Sequence, residues 1–310
     1  MRPVVGLGTG RCDPASAAVM AAEASARLVD TDPVHNEGRA HRALAPVLAA
    51  HSGLRVATKI GHMTPEQALR ARRAGVLSAV DAARCHSIEP AYVDYQLSVN
   101  GCELRRDCLD LVYLHNPERA ADDNGPLAEH LALAFEVLEC AARRGQIGGY
   151  GVATWDGFSS DGLCAGAFSV TEVVWAAEWA AEGGTSHLVA IQMPLNLARL
   201  AAVDGRGPVA EAAAAGLQVW ASAPHGDELV SPGLVEMIRP GLSPAGAALL
   251  VTCSTPGLTG VLVSTGDPAH WAEAEAVAAM PPLSLAQLRE ICDVLTPGPD
   301  ARRRRAVGVQ

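Results

Sequence analysis

The chain alternates short apolar runs with longer alanine-rich segments, and it does so eight times in 310 residues. The runs are Val4–Gly8, Arg27–Asp30, Leu54–Thr58, Leu109–Leu114, Gly149–Ala153, Val189–Met193, Leu217–Ala221 and Leu258–Val263. Short, continuous apolar runs of this kind belong to parallel strands covered on both faces by helices. The segments between them read as helices, for example Pro14 to Ala24, Glu37 to Ala50, Pro90 to Arg105 and Leu127 to Arg144. Arg144-Gly145 and Ala215-Gly216 supply the usual stop signals. Eight strand–helix units of roughly 30 to 40 residues predict a (β/α)8 barrel of the α/β class. It is expected to fill residues 1–296 as a single domain, with a basic tail at 297–310. An open doubly wound sheet is the rival, but Gly6-Leu7-Gly8-Thr9-Gly10 lacks the spacing of a dinucleotide fingerprint.

Composition narrows the partners. A net charge of −10 argues against an extended nucleic-acid surface and against an anionic membrane. No apolar stretch is long enough to span a bilayer, and the start has no signal-like pattern. Eight scattered cysteines without CxxC spacing fit a reducing compartment, so a cytoplasmic location is expected. Of 24 basic residues only Lys59 is a lysine, and it lies inside the apolar run Val56-Ala57-Thr58-Lys59-Ile60. A cation retained there needs a local reason.

Asp30, Lys59 and His115 close the second, third and fourth runs. In a barrel those ends converge at the C-terminal face, where the long segments 61–89 and 154–170 would also lie. Segment 61–89 is expected to carry a short helix, Pro65 to Ala82. An aspartate favours the charged ammonium while burial favours the neutral amine, so the pair can polarise a carbonyl or tune a proton donor. His115 can donate to the same oxygen. His35, in the loop after Asp30, can also face inward. A buried structural ion pair and a core histidine are the plainer readings, weakened by the convergence of all three groups. A metal site from Asp30, His35 and His115 is disfavoured, because the spacing matches no compact motif and Lys59 adds competing charge.

Several blocks together resemble the aldo-keto reductase superfamily. They are Asp30-Thr31-Asp32-Pro33-Val34-His35, Ala57-Thr58-Lys59, Asp110 to Pro117, Gly149 to Trp155, Ile191 to Leu197 and Pro256 to Val263. The resemblance implies a (β/α)8 barrel that holds NADPH or NADH and reduces aldehydes or ketones. It also implies a tetrad of aspartate, tyrosine, lysine and histidine, with tyrosine as general acid. Asp30, Lys59 and His115 fall on three of its positions, and His35 falls on the tyrosine. Histidine can protonate an alkoxide as an imidazolium, but a neighbouring Lys59 would weaken that acid.

On the cofactor side, the resemblance implies that Gln192 contacts the nicotinamide amide and that Trp155 lies beside it. Ser222 matches the pyrophosphate loop, whereas Pro224 lacks an N–H, and Asp227 and Glu228 would repel phosphate. Ser264, Thr265 and Glu273 fall on the adenosine end, where the helix N-terminus can take an anion. No arginine or lysine awaits a 2′-phosphate there, and Ala274 replaces an asparagine that holds adenine, so weakened affinity or a preference for NADH is expected. Trp220 is close to the family's ring-stacking aromatic without matching it and reads as a wall or core residue.

Three functions follow as expectations. The first is a nicotinamide-dependent reductase of a small organic carbonyl, with His35 as acid. The second is a nicotinamide-independent lyase, isomerase or cyclase of specialised metabolite biosynthesis. The third is a non-catalytic barrel, which retention of Asp30, Lys59 and His115 opposes. The partner is a small-molecule substrate, and oligomeric state is not readable.

Overall fold

A computed structural model describes residues 2–24, 26–120, 126–158, 166–199, 207–226 and 230–295. The eight strands are β1 (Val4–Gly8), β2 (Leu28–Asp30), β3 (Arg55–Ile60), β4 (Leu111–His115), β5 (Tyr150–Ala153), β6 (Leu188–Pro194), β7 (Gln218–Ser222) and β8 (Gly260–Val263). They close in chain order into a parallel (β/α)8 barrel. The seam pairs Val4 with Gly260 and Leu7 with Val263.

Strand alternation sorts the side chains into layers. Leu28, Ala57, Leu111, Tyr113, Ala190, Trp220 and Leu262 face inward and plug the barrel. One alternation further along each strand the inward residues turn polar: Asp30, Lys59, His115, Gln192 and Ser222. The apolar plug is therefore the floor of the site. Trp220 belongs to that floor, as its sequence context predicted. It is 5% exposed, and a Cβ on Gly260 would lie 2.4 Å from its ring. The outward residues of the strands pack under the helices, as Val112 and Val152 do with Phe135 and Leu138 of helix Leu127–Arg143.

Many helices open with proline at the first turn behind a capping side chain. Asp13, Thr64, Ser231, Ser243 and Asp267 do this capping. Three boundaries differ from expectation, each for a local reason. The strand expected from Leu109 begins at Leu111, because the Asp110 carboxylate turns aside to accept Val56 N–H at 2.9 Å. The helix expected from Glu37 begins at Ala40, because Asn36 and Glu37 take left-handed φ of 51° and 56° in the turn His35–Gly38. The helix expected over Pro65–Ala82 is two helices, Pro65–Arg73 and Ala79–Arg84, parted at Gly75 with φ of 76°. The tail at 297–310 lies outside the described residues. Among the described residues no helix is long and apolar enough to cross a membrane.

Candidate active site

Lys59 and Asp30 meet at the mouth of the barrel. Nζ lies 2.5 Å from Asp30 Oδ2 and both side chains are almost fully buried. The ammonium also donates to the Thr31 carbonyl at 3.2 Å, and Gln192 Nε2 donates to Asp30 Oδ1 at 2.9 Å. Each carboxylate oxygen is thus engaged, while the ammonium, with three donors, keeps one for a ligand oxygen.

Asp32, to which sequence reasoning assigns no role, is the second anion. Its carboxylate is buried, Oδ1 accepts Val34 N–H at 2.9 Å, and Oδ2 lies 2.6 Å from His115 Nδ1. The two atoms lie at ion-pair distance without meeting the geometry of an aligned hydrogen bond. Burial opposes ionisation of Asp32, but His115, His35 and Lys59 together outweigh it and hold the carboxyl below its usual range. His115 therefore pairs with Asp32, and Asp30 is left to Lys59.

His35 sits in the turn after β2, its Nδ1 2.9 Å from Thr9 Oγ1, and the Thr9 and Thr31 hydroxyls are hydrogen-bonded to each other at 2.9 Å. Burial lowers its pKa most; Asp32 and Asp30 pull upward while Lys59 and His115 pull downward. The turn is steadied from segment 61–89, where Gln67 Nε2 donates to the Pro33 carbonyl at 2.9 Å.

Behind His115 lies a histidine stack. The ring of His62 is 4.8 Å from that of His86 and 4.7 Å from that of His115, both edge-on. His86 Nε2 donates to the His115 carbonyl at 2.9 Å. Asn116 Oδ1 accepts Trp155 N–H, which orients its amide so that Nδ2 donates to His62 Nε2 at 3.0 Å. Chiefly through burial, the pKa values fall to about 3 for His62 and about 4 for His86. Beside β3, His41 bonds Thr58 Oγ1 at 3.0 Å and falls to about 4 for the same reason. Sequence reasoning missed Thr9, Asp32, His62 and His86. The available signal was a crowding of histidines near the ends of the first four strands in a chain that holds ten. Among the described residues no cluster of three or more His, Cys, Asp or Glu side chains could hold a metal ion.

The remaining sequence candidates spread around the mouth. Trp155 is 46% exposed, its ring 5.5 Å beneath the Arg199 guanidinium, which also donates to its carbonyl. It marks the rim, apart from the Asp30–Lys59 pair. Ser222 ends β7, and its carbonyl accepts Leu195 N–H. Ser264 Oγ would lie 2.7 Å from a Cβ on Gly8, so the bare glycine gives that hydroxyl its place. Ser264, Thr265, Glu273 and Ala274 line a cavity of about 610 Å³ with His225, Ser243 and His270. Among the described residues no arginine or lysine borders it. Glu273 accepts the Ser243 hydroxyl at 2.5 Å. Asp267 caps helix Pro268–Ala279 by accepting Ala269 N–H at 2.8 Å, so a carboxylate already occupies the helix N-terminus expected to be open to an anion. Asp227 and Glu228 fall outside the described residues.

This arrangement can hold a polarised oxygen against an ammonium, with two imidazoles nearby to move a proton. Residues 7–230 match the Aldo/keto reductase family. The chain belongs to that family. Similar solved structures include an aldose reductase from Schistosoma japonicum, at 19% identity and a TM-score of 0.66, covering 96% of this chain and 90% of that one. An aldo/keto reductase from Klebsiella pneumoniae, in complex with NADP and acetate, matches at 18% identity and a TM-score of 0.67, covering 96% and 93%. A Klebsiella pneumoniae aldo-keto reductase in complex with NADPH matches at 16% identity and a TM-score of 0.67, with the same coverage. No curated protein sequence matches the chain significantly. At these identities the structures speak to the shared barrel, and family membership supports an oxidoreductase.

Proposed function

We propose that the protein is a nicotinamide-dependent oxidoreductase that reduces a carbonyl of a small organic metabolite, with His35 standing where the family carries its acid tyrosine. The supporting observation is the buried Lys59–Asp30 pair at 2.5 Å, clamped from the far side by Gln192. Burial strengthens the field of the ammonium, and its remaining N–H is free to meet developing charge on the substrate oxygen. His35 as an imidazolium delivers the proton; burial disfavours that charged form, and Asp32 beside it offsets part of the penalty. His115, pinned by Asp32, orients the carbonyl.

The nicotinamide end fits the residues present. Gln192 commits its N–H to Asp30 and leaves its carbonyl oxygen to accept from a carboxamide. Hydride is the chemistry such a cofactor would supply. The adenosine end fits NADH better than NADPH, because Asp267 and Glu273 put negative charge near a cavity that no described arginine or lysine lines. Titration with NADH and NADPH, read by fluorescence or heat, should give micromolar binding with NADH the tighter. No binding of either at millimolar cofactor would overturn the assignment. His35→Gln should lower carbonyl reduction by about 10²- to 10⁴-fold. Reduction by the unaltered protein should strengthen as pH falls towards the depressed pKa of His35.

The acidic adenosine end also supports a second reading, a nicotinamide-independent lyase, isomerase or cyclase. There His35 or His115 would remove a proton and Lys59 would hold the oxyanion. Turnover of a candidate substrate without added cofactor, lost in Lys59→Met, would decide for it.

A further inference from the structure

The strand that carries Lys59 is held from the helix layer as well as from within the barrel, and the reason starts at a proline. On its β2 side, Thr31 N–H donates to the Ala57 carbonyl at 2.9 Å. Two residues further along β3, the carbonyl pointing the same way is that of Lys59. The residue in register to supply its donor is Pro33, which has no N–H. The carbonyl of the buried lysine therefore has no donor from β2, and a buried carbonyl needs one. Helix Pro90–Leu104 supplies it: Asn100 Nδ2 donates to the Lys59 carbonyl at 2.9 Å. One residue earlier in β3, Thr58 Oγ1 bonds His41 of helix Ala40–Ala50 at 3.0 Å.

Asn100 is itself braced. A carbonyl can only accept, so the amide turns its Nδ2 to Lys59 and its Oδ1 away. Gln96 Nε2 donates to that Oδ1 at 2.7 Å, and the Tyr92 hydroxyl donates to Gln96 Oε1 at 3.3 Å. Each donor in the row is thus fixed in turn by the acceptor at its Lys59 end. The three side chains are spaced four residues apart on one face of the helix, and all are buried. Packing alone would be served by apolar side chains there, since buried polar groups cost free energy unless every one is satisfied.

We propose that Asn100, braced by Gln96 and Tyr92, is a positioning residue for Lys59. It fixes the backbone from which the ammonium reaches Asp30 Oδ2 and the Thr31 carbonyl. The inference rests on the proposed reading of Lys59 as the cation that meets the substrate oxygen, and it names what sets that cation's place. Asn100 acts through the Lys59 main chain, so its loss moves the ammonium without removing any group from the mouth of the barrel.

Lys59 is the only lysine in the chain, so labelling lysine with ¹³C and ¹⁵N gives one lysine side-chain signal from the full-length protein. Spectra are recorded at neutral pH without cofactor or substrate, following the ¹³Cε resonance and the exchange of the ammonium protons with water. Asn100→Leu should move the ¹³Cε resonance and speed the exchange by about tenfold, the equivalent of one hydrogen bond. Leu288→Ala, in the buried face of helix Leu285–Leu295, lowers stability elsewhere and should leave the Lys59 signal in place. An unchanged signal in folded Asn100→Leu overturns the proposal. So does a change in Leu288→Ala as large as that in Asn100→Leu, which would mark the effect as general loosening. If Asn100→Leu does not fold, Gln96→Leu decides, because it removes the brace and keeps the Asn100 amide. Faster exchange there supports the proposal, and an unchanged signal overturns it. Because no cofactor is present, failure of nicotinamide binding would sink the oxidoreductase reading while leaving this result standing.

Discussion

At the scale of single residues, Lys59 and Asp30 neutralise one another where neither could stand alone. Two charges removed from water are tolerated only when paired and hydrogen-bonded, and Gln192 and the Thr31 carbonyl complete the set. Lys59→Met should therefore cost about 3–5 kcal/mol, because Asp30 is left as a buried charge without its cation. Lys59→Met combined with Asp30→Asn should recover much of that loss in denaturant unfolding while activity stays absent. If the double variant regained turnover, the pair would be structural only. The lone lysine was visible in the sequence as an oddity; its partner was visible as an aspartate at the end of the neighbouring strand.

At the scale of elements, the site is held by turns that pass close to one another. Gly61, just beyond β3, has φ of 147°, and a Cβ there would lie 2.5 Å from the His115 carbonyl oxygen and 3.1 Å from His86 Nε2. Two strand ends and the His86 ring meet over that bare Cα. Gly61→Ala should push the end of β3 away from β4 and break the His86–His115 bond. We expect a loss of at least about 1–3 kcal/mol in thermal or chemical unfolding, as for a residue forced into an unfavourable conformation against backbone. Gly75→Ala, at a positive φ of 76° with open space around it, should show only the smaller conformational cost. Equal losses at the two positions would argue that close approach at Gly61 is unimportant. Neither glycine's role is legible in sequence, since it depends on what lies opposite.

Across the whole molecule, the buried histidines couple the fold to pH. His41 and His86 have pKa values near 4 and His62 near 3, against an ordinary 6.5. Between pH 6.5 and about 4 the unfolded chain then binds more protons than the folded one, so stability must fall as pH drops through that window. Asp32, ionised below its usual range, adds to the loss once the pH passes beneath the ordinary carboxylate pKa of 3.8. A tenfold change in proton affinity on folding is worth about 1.4 kcal/mol, so each buried neutral histidine adds to the loss across this window. Melting temperature should decline steadily from about pH 7 to about pH 4.5, and His41→Gln with His86→Gln should flatten the decline. A melting temperature independent of pH in that range would contradict the burial of neutral imidazoles.

The sequence by itself determined the barrel, because eight apolar runs between helical segments have few other ways to bury both faces of every strand. It also located Asp30, Lys59, His115 and Gln192 at strand ends, since alternation along a strand fixes which side chains face inward. It read Trp220 as a wall or core residue, and the structure puts that side chain in the apolar floor. Tertiary structure alone decided the pairings. Asp32 went to His115, Thr9 to His35, and His62 between His86 and His115, because those contacts join segments whose separation in the chain says nothing about distance in space. It also decided that Asp267 caps its own helix, which needs the local backbone to turn the carboxylate inward. The groups that carry the chemistry were readable as letters; which proton each one holds depends on neighbours that only folding supplies.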